Sequence, residues 1–286
     1  MTEIGRLAGI HRYPVKSMLG EMLAETSLGA NGIPGDRAWG VRDEQRGDFF
    51  VGKRSAALMG CRASWPSGFG AGRVPTIELP DGDRFAADDP DAARRVARVV
   101  GREVTLWPVV PAARQARPTD GLELADEMRT LMGRAEDEPL PDFSTPPPAL
   151  AEFQARGGPF FDASPLLLLT QRSLDSLAAA ATGSRIDARR FRPSLLVETD
   201  ASDAHPGSDW PEQAWIGRRI RIGEAVLAIQ STCARCVMTT HGFADLPKDP
   251  RVMRALVRET DGNLGVYATI ETPGRIRVGD RLDRLD

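Results

Sequence analysis

Residues 214–230 read AWIGRRIRIGEAVLAIQ, and residues 274–285 repeat the same grammar as GRIRVGDRLDRL. Each has a glycine turn, an alternating Ile/Arg run, a Gly-Glu or Gly-Asp turn and a second run of strand type. Alternation with period two puts the isoleucines on one face and the arginines on the other, as a strand with one buried side requires. Strands so closely spaced, joined by such tight turns, predict a small β-barrel.

Between the repeats, LPKDPRVMRALVRET at 246–260 reads as a short helix with Pro247 or Pro250 near its start. Ahead of them, PLLLLT at 165–170 reads as a buried strand, Gln171 to Ser173 as a turn, SLDSLAAAAT as a helix ending near Gly183, and RFRPSLLVE as a further strand. The first third carries RLAGIHRYPV, MLAETSLGAN, RAWGVRDEQRGDFFV and VPTIELPDGDRF, which are short β-type runs parted by turn residues. DPDAARRVARVVG at 89–101 is predicted to be a helix, with Asp91 at its start and Gly101 as its stop, and EVTLWPVV returns to strand. The predicted class is α+β, predominantly β, with peripheral helices and no βαβ units.

The stretch from 111 to 150 differs. Between 120 and 142 it holds eight acidic residues against two basic ones, with prolines clustered behind them. Such a segment is either a solvated linker or a lid over a site, and composition alone supports both. The acidic run from Glu136 to Asp142 could dock a partner or gate a substrate.

Composition excludes several classes. With 286 residues, 41% hydrophobic and 27% charged, the chain is a globular protein large enough for two domains. A formal charge of −3 gives no basic field for nucleic acid. The longest apolar run, PLLLLT, is far short of the roughly 20 residues a membrane span needs. The N-terminus lacks the apolar core of a secretory signal. Three cysteines make no disulfide framework, so the expected compartment is cytoplasmic. Abundant arginine and alanine suggest a bacterial, GC-rich genome.

Two of those cysteines lie close together in STCARCVMTT, residues 231–240. A caged zinc site would need a second ligand pair, and Cys61, His11, His205 and His241 do not supply one at matching spacing. A redox dithiol belongs at a helix start in a βαβ setting, whereas this motif follows the strand-like AVLAIQ. Two small buried hydrophobes remain possible on residue type alone. Arg235 favours a thiolate, the form that acts as nucleophile and soft-metal ligand. A single thiolate in a cationic, hydroxyl-rich pocket suits a metal that brings most of its own ligands. Lys16 and Ser17 in YPVKS, Arg37 in GDRAWGV, and Arg189, Arg190 and Arg192 in RRFRPS stand at predicted strand ends. Together they read as a site for phosphate oxygens, which arginine forks bind in pairs.

YPVKS, GDRAWGV, RFRPS, CARCVMTT and PGRIRVGD, in that order, resemble the MOSC proteins. That family includes the molybdenum cofactor sulfurase C-terminal domain and the mitochondrial amidoxime-reducing component. The resemblance implies an N-terminal MOSC-associated β domain over 1–110, the linker or lid over 111–144, and a MOSC β-barrel over 145–286. It further implies a molybdenum cofactor (Mo-molybdopterin), with Cys236 as metal ligand and catalytic centre. Lys16, Arg37 and Arg192 match the groups on the pterin and its phosphate, and Ser17, Ser164, Ser194, Arg235 and Thr239 complete the cofactor set. Cys233 is expected to be a wall of the pocket. Relatives commonly carry asparagine where this chain has Ser194, which removes the amide's second donor.

The implied activity is reduction of small N-hydroxylated compounds. Further cysteines for an iron–sulfur centre and a flavin or nicotinamide signature are both missing, so electrons are expected from a separate protein: a ferredoxin, a flavodoxin or a cytochrome-like donor. A cofactor carrier or sulfur-handling module is the alternative, and a pyridoxal-phosphate site resting on Lys16 is a third reading. A lid-covered pocket over Cys236 would favour the enzyme, and a flat exposed surface the carrier.

Overall fold

Strands β1 (Thr2–Arg12), β2 (Glu21–Leu23), β3 (Glu25–Leu28) and β4 (Trp39–Asp43) open the chain in the computed structural model. Strands β5 (Arg62–Ser64), β6 (Thr76–Glu78) and β7 (Arg84–Ala86) lead to helix α1 (Ala92–Val100) and strand β8 (Val104–Pro108). Helices α2 (Ala125–Met132) and α3 (Pro148–Ala155) precede β9 (Leu166–Thr170), α4 (Gln171–Ala180) and β10 (Leu195–Glu198). The chain finishes with β11 (Arg219–Ile222), β12 (Ala225–Ala234), α5 (Arg251–Thr260), β13 (Asn263–Thr272), β14 (Gly274–Arg277) and β15 (Arg281–Arg284). The described residues are 1–109, 125–155, 159–161, 163–199 and 208–286.

Seven strands close into a barrel in the order β10-β9-β13-β12-β11-β15-β1, with β1 pairing back onto β10. A ring of strictly antiparallel neighbours needs an even number of members. Seven therefore forces a parallel pair, and it is β9 beside β10. Parallel neighbours need a crossover, here supplied by α4. This single β9–α4–β10 unit is the exception to the expectation of no βαβ. The predicted turn at Gln171 to Ser173 is already helix: Thr170 leaves the strand in extended backbone and its side chain accepts from the Ser173 amide, so α4 begins at once.

The alternating Ile/Arg runs behave as their period demands. Ile220, Ile222 and Ile276 are fully buried in one cluster with Leu166, Leu168, Leu195 and Val266, which fills the barrel. Each such side chain contributes about 1.5–3 kcal/mol. With the interior filled by hydrocarbon, the intervening residues (Leu167, Ser194, Tyr267) belong to the outer wall. β1 supplies Ile4, Leu7 and Ile10 to the same core, so the barrel draws one of its seven strands from the first 110 residues.

Strands β4 to β8 form a second layer. The β4–β8 pair and the β5–β6–β7 sheet pack with α1 around Val41, Trp65, Ile77 and Val96. Helix α1 stops at Gly101, whose left-handed φ of 70° a glycine adopts without cost. Asp91 heads the helix as read, but its carboxylate turns to Arg94. Asp89 accepts the Asp91 amide.

Candidate functional site

The barrel's outer wall carries a row of residues in register. The His11 amide donates to the Ser194 carbonyl at 2.8 Å, and the Ser194 amide to the Leu167 carbonyl at 2.8 Å. Leu167 lies opposite Tyr267 on β13, and Tyr267 opposite Ser231 on β12. Over this row, between the barrel and the second layer, sits a cavity of about 900 Å³. Its rim comes from the segments leaving β1 (Lys16, Ser17), entering β4 (Arg37) and entering β10 (Arg192, Ser194), and from the end of β12 (Cys233) with the turn that follows it (Arg235, Cys236). Residues of the 139–147 stretch form the facing wall.

Left-handed backbone is concentrated here. Among the described residues five non-glycines have positive φ, and four of them line the cavity: Ser17 (69°), Arg37 (49°), Arg192 (55°) and Asp261 (52°). Each costs about 1–2 kcal/mol for an L-residue and persists only where its surroundings hold it. The holding contacts are visible. The Arg37 amide donates to the Tyr13 carbonyl at 2.7 Å, and the Arg192 amide to the Ala188 carbonyl at 3.0 Å. The Ser17 hydroxyl accepts from the Gly52 amide at 2.9 Å.

Tyr13 packs against both arginines. The Arg37 and Arg192 guanidinium carbons lie 4.5 and 4.2 Å from its ring centroid. Arg37 also donates to Asp36, and Arg192 to the Met18 carbonyl. Burial pushes the Asp36 carboxyl up from its ordinary value, against the pull of Arg37 and the Tyr13 amide.

Arg235 is buried in the same wall. It donates to Cys233 Sγ at 2.9 Å and to the Phe191 carbonyl at 2.6 Å, while its Nε has no hydrogen-bond partner. Burial opposes its charge, but Cys233, Tyr267 and Cys236 favour it and leave its pKa above the ordinary arginine value. Cys233 is buried and Cys236 half-buried, both lining the cavity. Cys61 lies in the apolar core of the second layer, where burial pushes its thiol up to about 12. Among the described residues, no group of three or more His, Cys, Asp and Glu side chains could cage a metal. His205 lies outside them.

Two family models match the chain: the MOSC N-terminal beta barrel domain over residues 4–114 and the MOSC domain over residues 155–283. The chain belongs to the MOSC family. Mitochondrial amidoxime-reducing component 1 of Homo sapiens is 22% identical and covers 98% of this chain and 83% of its own. The Mus musculus protein of that name is 31% identical over 42% of this chain and 36% of its own length. Among solved structures, the YuaD protein of Bacillus subtilis, 12% identical, covers 98% of this chain and 94% of its own with a TM-score of 0.43.

Of the residues singled out in this MOSC chain, Lys16, Ser17, Arg37, Ser164, Arg192, Ser194, Arg235 and Cys236 line this same cavity. Thr239 does not. It is buried, and its hydroxyl donates to the Cys236 carbonyl at 3.1 Å, bracing the turn that presents the thiol. Within RRFRPS only Arg192 keeps the expected place. Arg189 pairs with Asp187 and Asp245 on the surface. Arg190 lies against the cavity, but its guanidinium serves the carbonyls of Arg185, Thr239, His241 and Pro247. Ser194 accepts the Leu167 amide at 3.3 Å, tying the parallel pair together. The single proton of the Ser164 hydroxyl is shared between the carbonyls of Leu166 and Ala268, leaving its lone pairs as acceptors.

Sequence reasoning missed Lys53, Asn263, Tyr267, Phe160 and Phe161, which also line the cavity. Tyr267 could have been found, since it alternates with the buried Val266 and Ala268. The acidic run divides. Glu138 pairs with Arg254 at 2.5 Å and accepts the Ala135 amide, whereas Asp142 faces the cavity and accepts the Ser144 amide.

Proposed function

We propose that this chain binds a molybdenum cofactor in the cavity, with Cys236 as the thiolate on the metal, and reduces small N-hydroxylated compounds with electrons from a separate protein. The observation that carries the reading is one cavity, about 900 Å³, in which a half-buried thiol meets Lys16, Arg37 and Arg192 from distant parts of the chain. Those residues suit a phosphorylated pterin. Two arginine forks and a lysine match an anion's oxygens. The buried, unpartnered Nε of Arg235 is a donor of the kind an absent polar group would satisfy. When bound, the metal would supply the two-electron redox chemistry.

The chain's own work is binding and orientation. Cys236 heads the turn Val237–Thr240, whose first carbonyl contact is braced by Thr239. Lys16, Arg37 and Arg192 would hold the anionic end, and Ser164 would accept from ring donors. The facing wall of prolines with Leu140, Phe143, Phe160 and Phe161 is largely apolar, with Asp142 its one charged group, and would receive the uncharged body of a substrate. This wall favours an enzyme over a carrier, which would present its cofactor on an open surface. The names of the amidoxime-reducing relatives support the same class of substrate.

The test supplies benzamidoxime with reduced viologen to wild type and to Cys236→Ser, both loaded in a host that makes the cofactor. Benzamidine should form with the wild type only. A fully loaded wild type inert toward several N-hydroxylated substrates would contradict the reductase and leave a carrier.

A further inference from the structure

Two guanidinium groups that face one cavity repel each other, so their separation has to be held against that repulsion. Tyr13 lies where that separation is set. Its ring centroid has the Arg37 guanidinium carbon at 4.5 Å and that of Arg192 at 4.2 Å, so both cations pack on the one ring. The π-cloud attracts both, so the ring acts as a spacer with affinity for each cation. Tyr13 is itself pinned from both halves of the site. Its amide donates to Asp36 Oδ1 at 2.7 Å, and its carbonyl accepts the Arg37 amide at 2.7 Å. Its hydroxyl donates to the carbonyl of Pro193, the neighbour of Arg192, at 3.1 Å. Burial raises the phenol to about 12, against the pull of Arg192 and Arg37, so the proton for that bond stays in place.

We infer that Tyr13 is a positioning residue: its ring sets the spacing and direction of Arg37 and Arg192, and thereby the affinity of the cavity for a phosphate-bearing anion. This rests on the proposed reading of the cavity as an anion site, and it adds a residue that touches no ligand itself. The consequence is specific. The electron-rich face of the ring, rather than its bulk, should carry the effect.

The experiment uses the full chain, purified without cofactor, and measures binding of inorganic pyrophosphate by calorimetry at fixed salt. Tyr13→Phe keeps the ring and loses only the Pro193 bond, and should bind within about threefold of wild type. Pentafluorophenylalanine placed at position 13 by codon suppression keeps the shape but reverses the ring's quadrupole. It should bind about tenfold more weakly than the Phe variant at an unchanged melting temperature. Equal affinity of the fluorinated and Phe variants overturns the inference and leaves the anion cavity standing. No pyrophosphate binding by wild type, with Lys16→Ala indistinguishable from it, overturns the anion reading itself. Should the fluorinated chain fail to fold, Tyr13→Leu and Arg192→Ala are combined. Losses that fall short of additivity support the spacer, and simple additivity contradicts it.

Discussion

Arg235 makes two buried donations in different directions, to Cys233 and to the Phe191 carbonyl, each from its own terminal nitrogen, a span that the single nitrogen of a lysine does not reproduce. It thereby ties the cysteine motif to the segment that presents Arg192. Arg235→Lys should leave one of those acceptors without its donor, at about 2 kcal/mol. A lower denaturant midpoint together with weakened cofactor retention is the expected result. An unchanged midpoint would mean that the two donations contribute nothing to holding the wall. At this scale the sequence was informative where chemistry follows residue type. Cysteine, lysine and arginine at strand ends led to the cavity residues. It was silent where chemistry follows conformation. Nothing in the letters of Ser17, Arg37 or Arg192 marks a left-handed residue, and nothing in RRFRPS separates Arg190, spent on four carbonyls, from Arg192 beside it.

Among the elements, α5 illustrates how a charged side chain sets a boundary. Asp249 accepts from the Arg251 amide at 3.0 Å and from its guanidinium at 2.9 and 2.8 Å, which organises the first turn of the helix. These bonds, Arg251 foremost, hold its carboxyl down at about 2. A depressed carboxyl contributes stability above its unfolded value, near 4, and loses it as pH falls towards 2. Asp249→Asn should therefore be less stable than wild type at neutral pH, with the gap closing over that acid window. Melting temperatures from pH 7 to pH 2.5 measure it, and a gap that stays constant with pH would refute the assignment. The start of α4 makes the complementary point about legibility. Thr170 ends a strand, as its place in PLLLLT predicts, but the same residue caps a helix with no turn between, and two roles on one residue leave one signal. The alternating Ile/Arg runs were readable because period two has one physical meaning in a half-buried strand.

The whole molecule brings β1 beside β10, residues about 190 apart in sequence (Ile10 opposite Leu195), and so places Lys16 near Arg192. Local pattern predicted a barrel but could not choose its partners. Ring closure by the first strand, the odd strand number and the parallel β9–β10 pair are properties of pairing, not of any segment. The described residues contain no helix long and apolar enough to cross a membrane. On the proposed reading, the cavity joins a cationic side to a largely apolar wall, and Cys236 lies where both are within reach of one bound group. Whether Cys236 is the thiolate that holds the metal is read most directly by metal and pterin analysis of the full chain, expressed in a host that makes molybdenum cofactor, beside Cys236→Ala and Cys233→Ala. Wild type and Cys233→Ala should each carry about one molybdenum per pterin, and Cys236→Ala should lose the metal with its melting temperature intact. Molybdenum retained in full by Cys236→Ala, or zinc in its place in the wild type, would contradict it.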